Sequence, residues 1–75
     1  MKDKAVIVTG GSSGIGRCAA AALRDCGYTV YEFSRRDIPQ AGVKHMTVDV
    51  TDEKAVEAAA AQVAEETAIY AVVNC

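Results

Sequence analysis

The stretch IVTGGSSGIGRCAA, residues 7–20, places four glycines and two serines between an apolar run and an alanine-rich run. Before the glycines, residues 4–9 (KAVIVT) are rich in β-branched side chains without alternation, which is typical of a parallel strand buried on both faces. After them, residues 15–26 have the apolar spacing of a helix, and Gly27 follows where a left-handed C-terminal cap forms. A strand, a glycine turn and a helix in this order direct backbone N–H groups and the helix dipole at one point. The stretch therefore predicts a seat for a phosphate or pyrophosphate.

Further along the chain, three more strands and one more helix are predicted. The strands cover residues 28–34, 43–48 and 68–73, and the helix covers about 52–67, capped by Thr51 or Asp49. The order strand, helix, strand, strand, helix, strand predicts a Rossmann-type doubly wound α/β fold with strand order 3-2-1-4. Because the connector 35–42 has only eight residues, we expect an extended loop there instead of a crossover helix.

The spacing of apolar residues in the first helix predicts which of its residues, including two cysteines, pack against the core. The apolar face of this helix is expected to contain Ile15, Ala19, Ala22, Leu23 and Cys26. The three cysteines of the chain match no zinc pattern and are expected to be free thiols. Cys18 and Cys26, eight residues apart, are expected to be small core residues on one side of the helix.

Length and composition narrow the function classes. A chain of 75 residues with 51% hydrophobic and 24% charged residues is compatible with one globular domain. The net charge of -2 gives no basic excess, so a nucleic-acid partner is not expected. No signal peptide and no apolar stretch of membrane-spanning length is present, so no membrane partner is expected and a cytoplasmic location is predicted.

Three phosphate-binding motifs compete for the glycine-rich turn. The P-loop pattern fits Gly11 and Gly16 but fails at Arg17 and Cys18, where a lysine and a hydroxyl are required. The pattern G-x-G-x-x-[GA] is met by Gly14, Gly16 and Ala19, although short glycine patterns recur by chance. The pattern T-G-x-x-x-G-x-G is matched in full by Thr9, Gly10, Gly14 and Gly16.

Two further motifs stand at the ends of later strands: VDVTD at residues 48–52 and VVNC at residues 72–75. Together with the glycine turn, they make the chain resemble the N-terminal portion of the classical short-chain dehydrogenase/reductase family. The resemblance implies a Rossmann fold that binds NAD or NADP and reduces a carbonyl or oxidises an alcohol on a small-molecule substrate. It also implies a homo-oligomer.

The same resemblance assigns cofactor contacts. The residues that would contact the pyrophosphate are Gly10, Ser12, Ser13, Gly14, Ile15 and Gly16. The adenosine half would be held by Asp49, Val50 and Asn74. In the resembled family a second asparagine follows the position of Asn74, whereas this chain has Cys75 there. Asp49 would bond the adenine amino group, but capping of the following helix is an equally good reading of this residue.

The end of the second strand bears on the choice between the two cofactors. An acidic side chain there selects NAD, whereas arginine pairs with the 2′-phosphate of NADP. Glu32 lies inside the strand and is expected to stop short of the cofactor edge, while Ser34, Arg35 and Arg36 reach it. A hydroxyl and planar guanidinium groups suit a phosphate dianion, so NADP is predicted over NAD.

No catalytic residue is identified in these 75 residues. Tyr28, Tyr31 and Tyr70 are interpreted as packing aromatics, and none has a lysine four residues later, as the catalytic tyrosine of the resembled family does. His45 has no partner motif and is interpreted as structural or exposed. The apolar strand 68–73 would be an edge strand, so the chain is expected either to be a fragment of a longer enzyme or to pair with a second copy. The alternative function is a non-catalytic dinucleotide-binding or self-assembling module.

Overall fold

A computed structural model describes residues 4–10, 14–36 and 40–74. Its elements follow the predicted order, and each bound lies within one residue of the prediction. They are β1 (Lys4–Thr9), α1 (Gly14–Asp25), β2 (Thr29–Ser34), β3 (Val43–Thr47), α2 (Glu53–Glu66) and β4 (Ala68–Asn74). None of the helices in these ranges is long and apolar enough to span a bilayer.

The four strands form one parallel sheet in the order β3-β2-β1-β4, which confirms the predicted fold class. Thr9 at the end of β1 is paired with Phe33 of β2 on one side and with Asn74 of β4 on the other. Because all strands run in the same direction, their carboxyl ends meet at one edge of the sheet. In open α/β sheets, ligands bind outside this edge.

Each face of the sheet has its own hydrophobic core, as a doubly wound fold requires. On the α2 face, Ile7 and Phe33 pack with Ala59 and Val63 of the helix. On the α1 face, the buried residues are Val6, Val8, Ala20 and Val30. The alternation of side chains along β1 therefore divides its apolar residues between two cores. This division explains why the strand reads as a continuous hydrophobic run.

The predicted inner face of α1 was correct at Leu23, which packs against the core, and wrong at Ile15, Ala22 and Cys26, which are exposed. Gly16 and Ala20 are buried in this helix, whereas Ile15 is 80% exposed and both Cys18 and Cys26 are exposed free thiols. The small residues at positions 16 and 20 allow the helix to approach the sheet closely. Close approach therefore determines the rotation of α1, and the larger apolar side chain of Ile15 is directed away from the core.

The N-terminal cap of α2 is Asp52, not Thr51 or Asp49 as predicted. The Asp52 backbone is extended, and its Oδ1 accepts hydrogen bonds from the N–H groups of Lys54 and Ala55. A carboxylate at this position satisfies free N–H groups and faces the positive end of the helix dipole. Because Asp52 takes this role, the carboxylate of Asp49 is not required for capping.

The β4 edge exposes large apolar side chains. Tyr70 and Val72 are exposed, and the register with β1 shifts between Ala5 and Val6, opposite Tyr70. The shift accompanies a stack of the Tyr70 ring on Tyr28, with ring centroids 5.5 Å apart. The packing role predicted for these tyrosines is confirmed by this pair. The stack lies at the amino end of the sheet, away from the strand ends where ligands bind.

Candidate functional site

The first part of the site is the turn between β1 and α1. Gly10 directly follows β1 with φ of 71°, a left-handed conformation that suits glycine, and its N–H donates to Phe33 O at 3.1 Å. α1 begins four residues later at Gly14. The hydrogen bond anchors the start of the turn to β2, so that the N-terminus of α1 lies at the carboxyl edge of the sheet.

The glycines of the helix start have different surroundings. Within the described part of the chain, a Cβ added at Gly14 would have no atom within 4 Å other than those of its chain neighbours and of the backbone of α1, whereas Gly16 is buried. Ile15 between them is exposed. Open space beside Gly14, at a helix N-terminus, is a cradle that an anion could fill. Two predicted site residues, Ser12 and Ser13, lie outside the described residues.

The second part of the site is the end of β2. The Ser34 hydroxyl donates to Arg36 O at 2.9 Å, and Ser34 O accepts from the Val48 N–H at 2.9 Å. Ser34 is buried, whereas Arg35 and Arg36 are exposed. The buried serine therefore fixes the backbone as the chain leaves the sheet, and the two guanidinium groups extend into solvent beyond it.

The third part is the end of β3, where Asp49 is ordered by Thr51. Asp49 Oδ1 accepts from the Thr51 hydroxyl at 2.6 Å and from the Thr51 N–H at 3.0 Å. These two bonds, with a smaller contribution from the positive charge of Arg35, hold the pKa of Asp49 below its ordinary value despite an opposing desolvation effect. Both bonds use Oδ1, and no hydrogen bond from the described residues reaches Oδ2.

The fourth part is a junction between β1 and β4. The Thr9 hydroxyl donates to Asn74 Oδ1 at 2.8 Å, and this bond joins the two strand ends. Beside it lies a cleft of about 460 Å³, whose lining includes Thr9, Phe33, Val50, Val72 and Asn74. Val50 is 44% exposed at its rim. An apolar cleft of this size with a few polar groups at one end fits a flat heterocycle.

A larger cleft lies at the outer side of the sheet, next to β3, and also has two polar side chains. It has a volume of about 570 Å³ and lies between the end of β3 and α2. Thr47 and Gln62 contribute polar side chains, and the remaining lining residues are Met46, Val48 and alanines of α2. No charged side chain of the described residues lines either cleft. The smaller cleft is the stronger candidate because it lies at the ends of β1 and β4, next to the glycine turn.

Glu32 and His45 occupy a buried polar position inside the sheet. Glu32 is 3% exposed, and its Oε1 lies 2.6 Å from His45 Nδ1, while His45 Nε2 lies 2.9 Å from the Thr47 hydroxyl. A carboxylate can only accept, so Nδ1 is the donor to Glu32. His45 is therefore structural, and the Glu32 carboxylate is held within the strand pair, short of the strand ends.

Comparison with known proteins identifies the family. The family described as short chain dehydrogenase matches residues 4–75. The chain belongs to this short-chain dehydrogenase family. A curated relative, 3-ketodihydrosphingosine reductase of Bacteroides thetaiotaomicron, is 36% identical to this short-chain dehydrogenase sequence over 67 residues, 88% of the chain and 25% of the relative.

Solved structures agree with this family assignment. The ligand-free aldohexose dehydrogenase of Thermoplasma acidophilum superposes with a TM-score of 0.92 at 39% identity, over 99% of this chain and 29% of that one. A C-terminal deletion mutant of the same enzyme gives a TM-score of 0.80 at 40% identity, over 87% and 28%. This short-chain dehydrogenase chain thus spans about a quarter of the length of the proteins it matches.

Several residues that shape the site were not found from the sequence. Thr51 fixes the Asp49 carboxylate by hydrogen bonds. Thr9 of β1 is hydrogen-bonded to Asn74 of β4, and these two residues are 65 positions apart in the chain. The first pair had a detectable signal, because an aspartate two residues before a threonine commonly forms such a local turn. The second pair had no local signal, since only the strand register brings the two side chains together.

Proposed function

We propose that residues 1–75 are the N-terminal part of a single NAD(P)-binding Rossmann domain in an NADP-dependent oxidoreductase. The enzyme would transfer hydride between nicotinamide and a carbonyl or alcohol substrate. The observation that carries the proposal is the convergence, at one edge of the sheet, of an open helix N-terminus at Gly14 with the exposed Arg35 and Arg36. The expected cytoplasmic location and homo-oligomeric assembly stay predictions.

The turn after β1 would bind the pyrophosphate. Gly10 lets the chain turn sharply after the strand, and the open space beside Gly14 admits a phosphate group close to the backbone. Gly16 lets α1 approach the sheet, which brings the positive end of the helix dipole to the same place. Ile15, exposed beside them, would cover one side of the bound diphosphate, and Ser12 and Ser13 complete the proposed turn.

The end of β2 would select the 2′-phosphate of NADP. Arg35 and Arg36 supply two permanent positive charges, whereas Glu32, the nearest acidic residue before them, is buried against His45. Ser34 donates its one hydroxyl hydrogen to Arg36 O, so its proposed role is to shape the turn that presents the arginines. These features support NADP over NAD.

The ends of β3 and β4 would hold the adenosine half. The Oδ2 atom of Asp49 is available to accept from the adenine amino group, and the Val50 backbone would make a second contact. The apolar walls of the 460 Å³ cleft would cover the ring, with Asn74 at its polar end. Because the pKa of Asp49 is lowered, its carboxylate is ionised at neutral pH and remains an acceptor.

Substitution of the two arginines tests the cofactor proposal. In the natural protein that contains this chain, Arg35→Ala and Arg36→Ala are each expected to weaken NADPH binding by about 10- to 100-fold, the loss of one charged hydrogen bond. NADH, which lacks the 2′-phosphate, should bind each variant as it binds the parent. Calorimetric titration with both cofactors measures the difference.

The matched control removes a cation elsewhere. Lys54 is exposed on α2 and is not part of the proposed site, so Lys54→Ala should leave the NADPH to NADH affinity ratio unchanged. Equal losses for NADPH and NADH in both arginine variants, or no loss of NADPH affinity, would refute NADP selection by this turn.

A further inference from the structure

The connector between β2 and β3, residues 35–42, is attached to α1 at its far end. The guanidinium of Arg24 in α1 donates from Nη1 to Ala41 O at 2.6 Å. The Gln40 side chain donates from Nε2 to Arg17 O in the same helix at 2.9 Å. Two adjacent residues of the connector are therefore hydrogen-bonded to the helix that carries the glycine turn.

Gly42 shows how closely the Arg24 side chain lies on the connector. Its φ of 76° is left-handed, and a Cβ added there would collide with Arg24 Cδ and come within 3.1 Å of Cγ. The Arg24 Nε is in turn held by Asp25 Oδ1 at 3.0 Å. The stem of Arg24 thus lies in the space that only a glycine leaves open, and its guanidinium spans from Asp25 to Ala41.

The near end of the same connector carries Arg35 and Arg36 and is fixed by Ser34. The hydroxyl of Ser34 binds Arg36 O, and the strand pair β2–β3 fixes both ends of the eight-residue segment. Between the strand ends, contacts at residues 40–42 shorten the part of the connector that is not held by hydrogen bonds to α1. A shorter segment has less conformational freedom, and Arg35 and Arg36 belong to that segment.

We propose that Arg24 is a positioning residue for cofactor selection: it clamps the β2–β3 connector to α1 and so holds Arg35 and Arg36 toward the 2′-phosphate. The inference rests on the proposed function, because it assumes that this pair binds that phosphate. Arg24 itself does not contact the cofactor in this proposal. By holding the connector in place before the cofactor binds, Arg24 reduces the conformational entropy that the connector loses on binding.

The test compares NADPH and NADH binding in the natural protein with Arg24→Ala. The expected result is an NADPH affinity about fivefold lower, within the usual range for residues that act through a contact network, with NADH affinity unchanged. In an Arg35→Ala background, Arg24→Ala should lower NADPH affinity by less than about twofold, because only Arg36 is then left for the clamp to position. Unchanged NADH binding shows that the variant is folded, and Lys54→Ala is the control for loss of one surface cation.

Gly42→Ala tests the same clamp without removing any charge. Its Cβ displaces the Arg24 stem, so we expect the same selective loss of NADPH affinity, together with a loss of stability because φ of 76° is strained for alanine. A selective loss in Arg24→Ala without one in Gly42→Ala would mean that Arg24 acts through charge alone, which overturns the proposal.

The outcomes separate this inference from the proposed function. If Arg35→Ala and Arg36→Ala weaken NADPH binding but Arg24→Ala does not, the clamp is wrong and the cofactor proposal stands. If all three variants bind NADPH as the parent does, both proposals fall. An equal loss for NADPH and NADH in Arg24→Ala would also overturn the clamp.

Discussion

Replacing Gly14 with valine is expected to lower the affinity for NADPH by about a hundredfold, the loss of one to two charge-assisted hydrogen bonds to phosphate. The free energy of unfolding should change by less than about 0.5 kcal/mol, because valine is no worse than glycine in a helix. Among the described residues, no atom outside the chain neighbours and the backbone of α1 itself lies within 4 Å of a Cβ added at this position, so we expect the fold to tolerate the substitution. The added methyl groups would occupy the space proposed for the diphosphate.

Two further substitutions make this prediction specific. Gly14→Ala, with one methyl group, should show a smaller loss of affinity and the same stability. Gly10→Ala should instead lower stability, because φ of 71° is strained for alanine. Calorimetric titration and urea unfolding give the two quantities for each variant. Parent-like NADPH binding in Gly14→Val, or a loss of affinity that merely follows a loss of stability, would contradict the proposed phosphate seat.

Replacing His45 with alanine is expected to lower the free energy of unfolding by about 3 kcal/mol, the cost of removing one partner from a buried pair. The substitution leaves the Glu32 carboxylate without its imidazole donor at a site that is 3% exposed. Among the described residues, Glu32 Oε2 has no hydrogen-bond partner, so the carboxylate has little to replace the lost contact. Urea unfolding followed by circular dichroism measures the change.

The double variant Glu32→Leu with His45→Val is the control for this pair. Both replacements are apolar, and valine suits a strand, so the double variant should be at least as stable as the parent. It also tests the assignment of Glu32 to the interior. If Glu32→Leu with His45→Val alters the NADPH to NADH affinity ratio as strongly as Arg35→Ala does, Glu32 takes part in cofactor selection and the present reading of the β2 end is wrong.

The sequence patterns that predicted the fold correctly were local and strong. Two-sided apolar runs in β1 and β4 indicated parallel strands, and the glycine turn indicated the crossover into α1. The rotation of α1 was not predictable in this way. Ile15 is more hydrophobic than Gly16, yet the helix buries Gly16, because backbone approach to the sheet outweighs the burial of one side chain.

The sequence indicated candidate site residues, but it did not indicate the hydrogen bonds between them. Three polar residues in four positions, Asp49, Thr51 and Asp52, could each cap α2, and only the backbone geometry shows that Asp52 does. The Asp49 carboxylate therefore accepts hydrogen bonds from Thr51 and, in the proposed function, from the adenine amino group. The proposed clamp depends on the hydrogen bond from Arg24 of α1 to Ala41 of the connector, 17 positions later in the chain. No periodicity in the sequence indicates that contact.

The proposed selection of NADP at the end of β2 is tested most directly with two small nucleotides that differ only in the 2′-phosphate. Calorimetric titration of the natural protein with adenosine 2′,5′-bisphosphate and with adenosine 5′-monophosphate reports on the ends of β1, β2 and β3 without any catalytic residue. We predict that the bisphosphate binds at least about tenfold more tightly, as expected for one additional charge-assisted interaction with Arg35 or Arg36, and that Arg35→Ala removes most of this difference. Equal affinity for the two nucleotides would contradict the account.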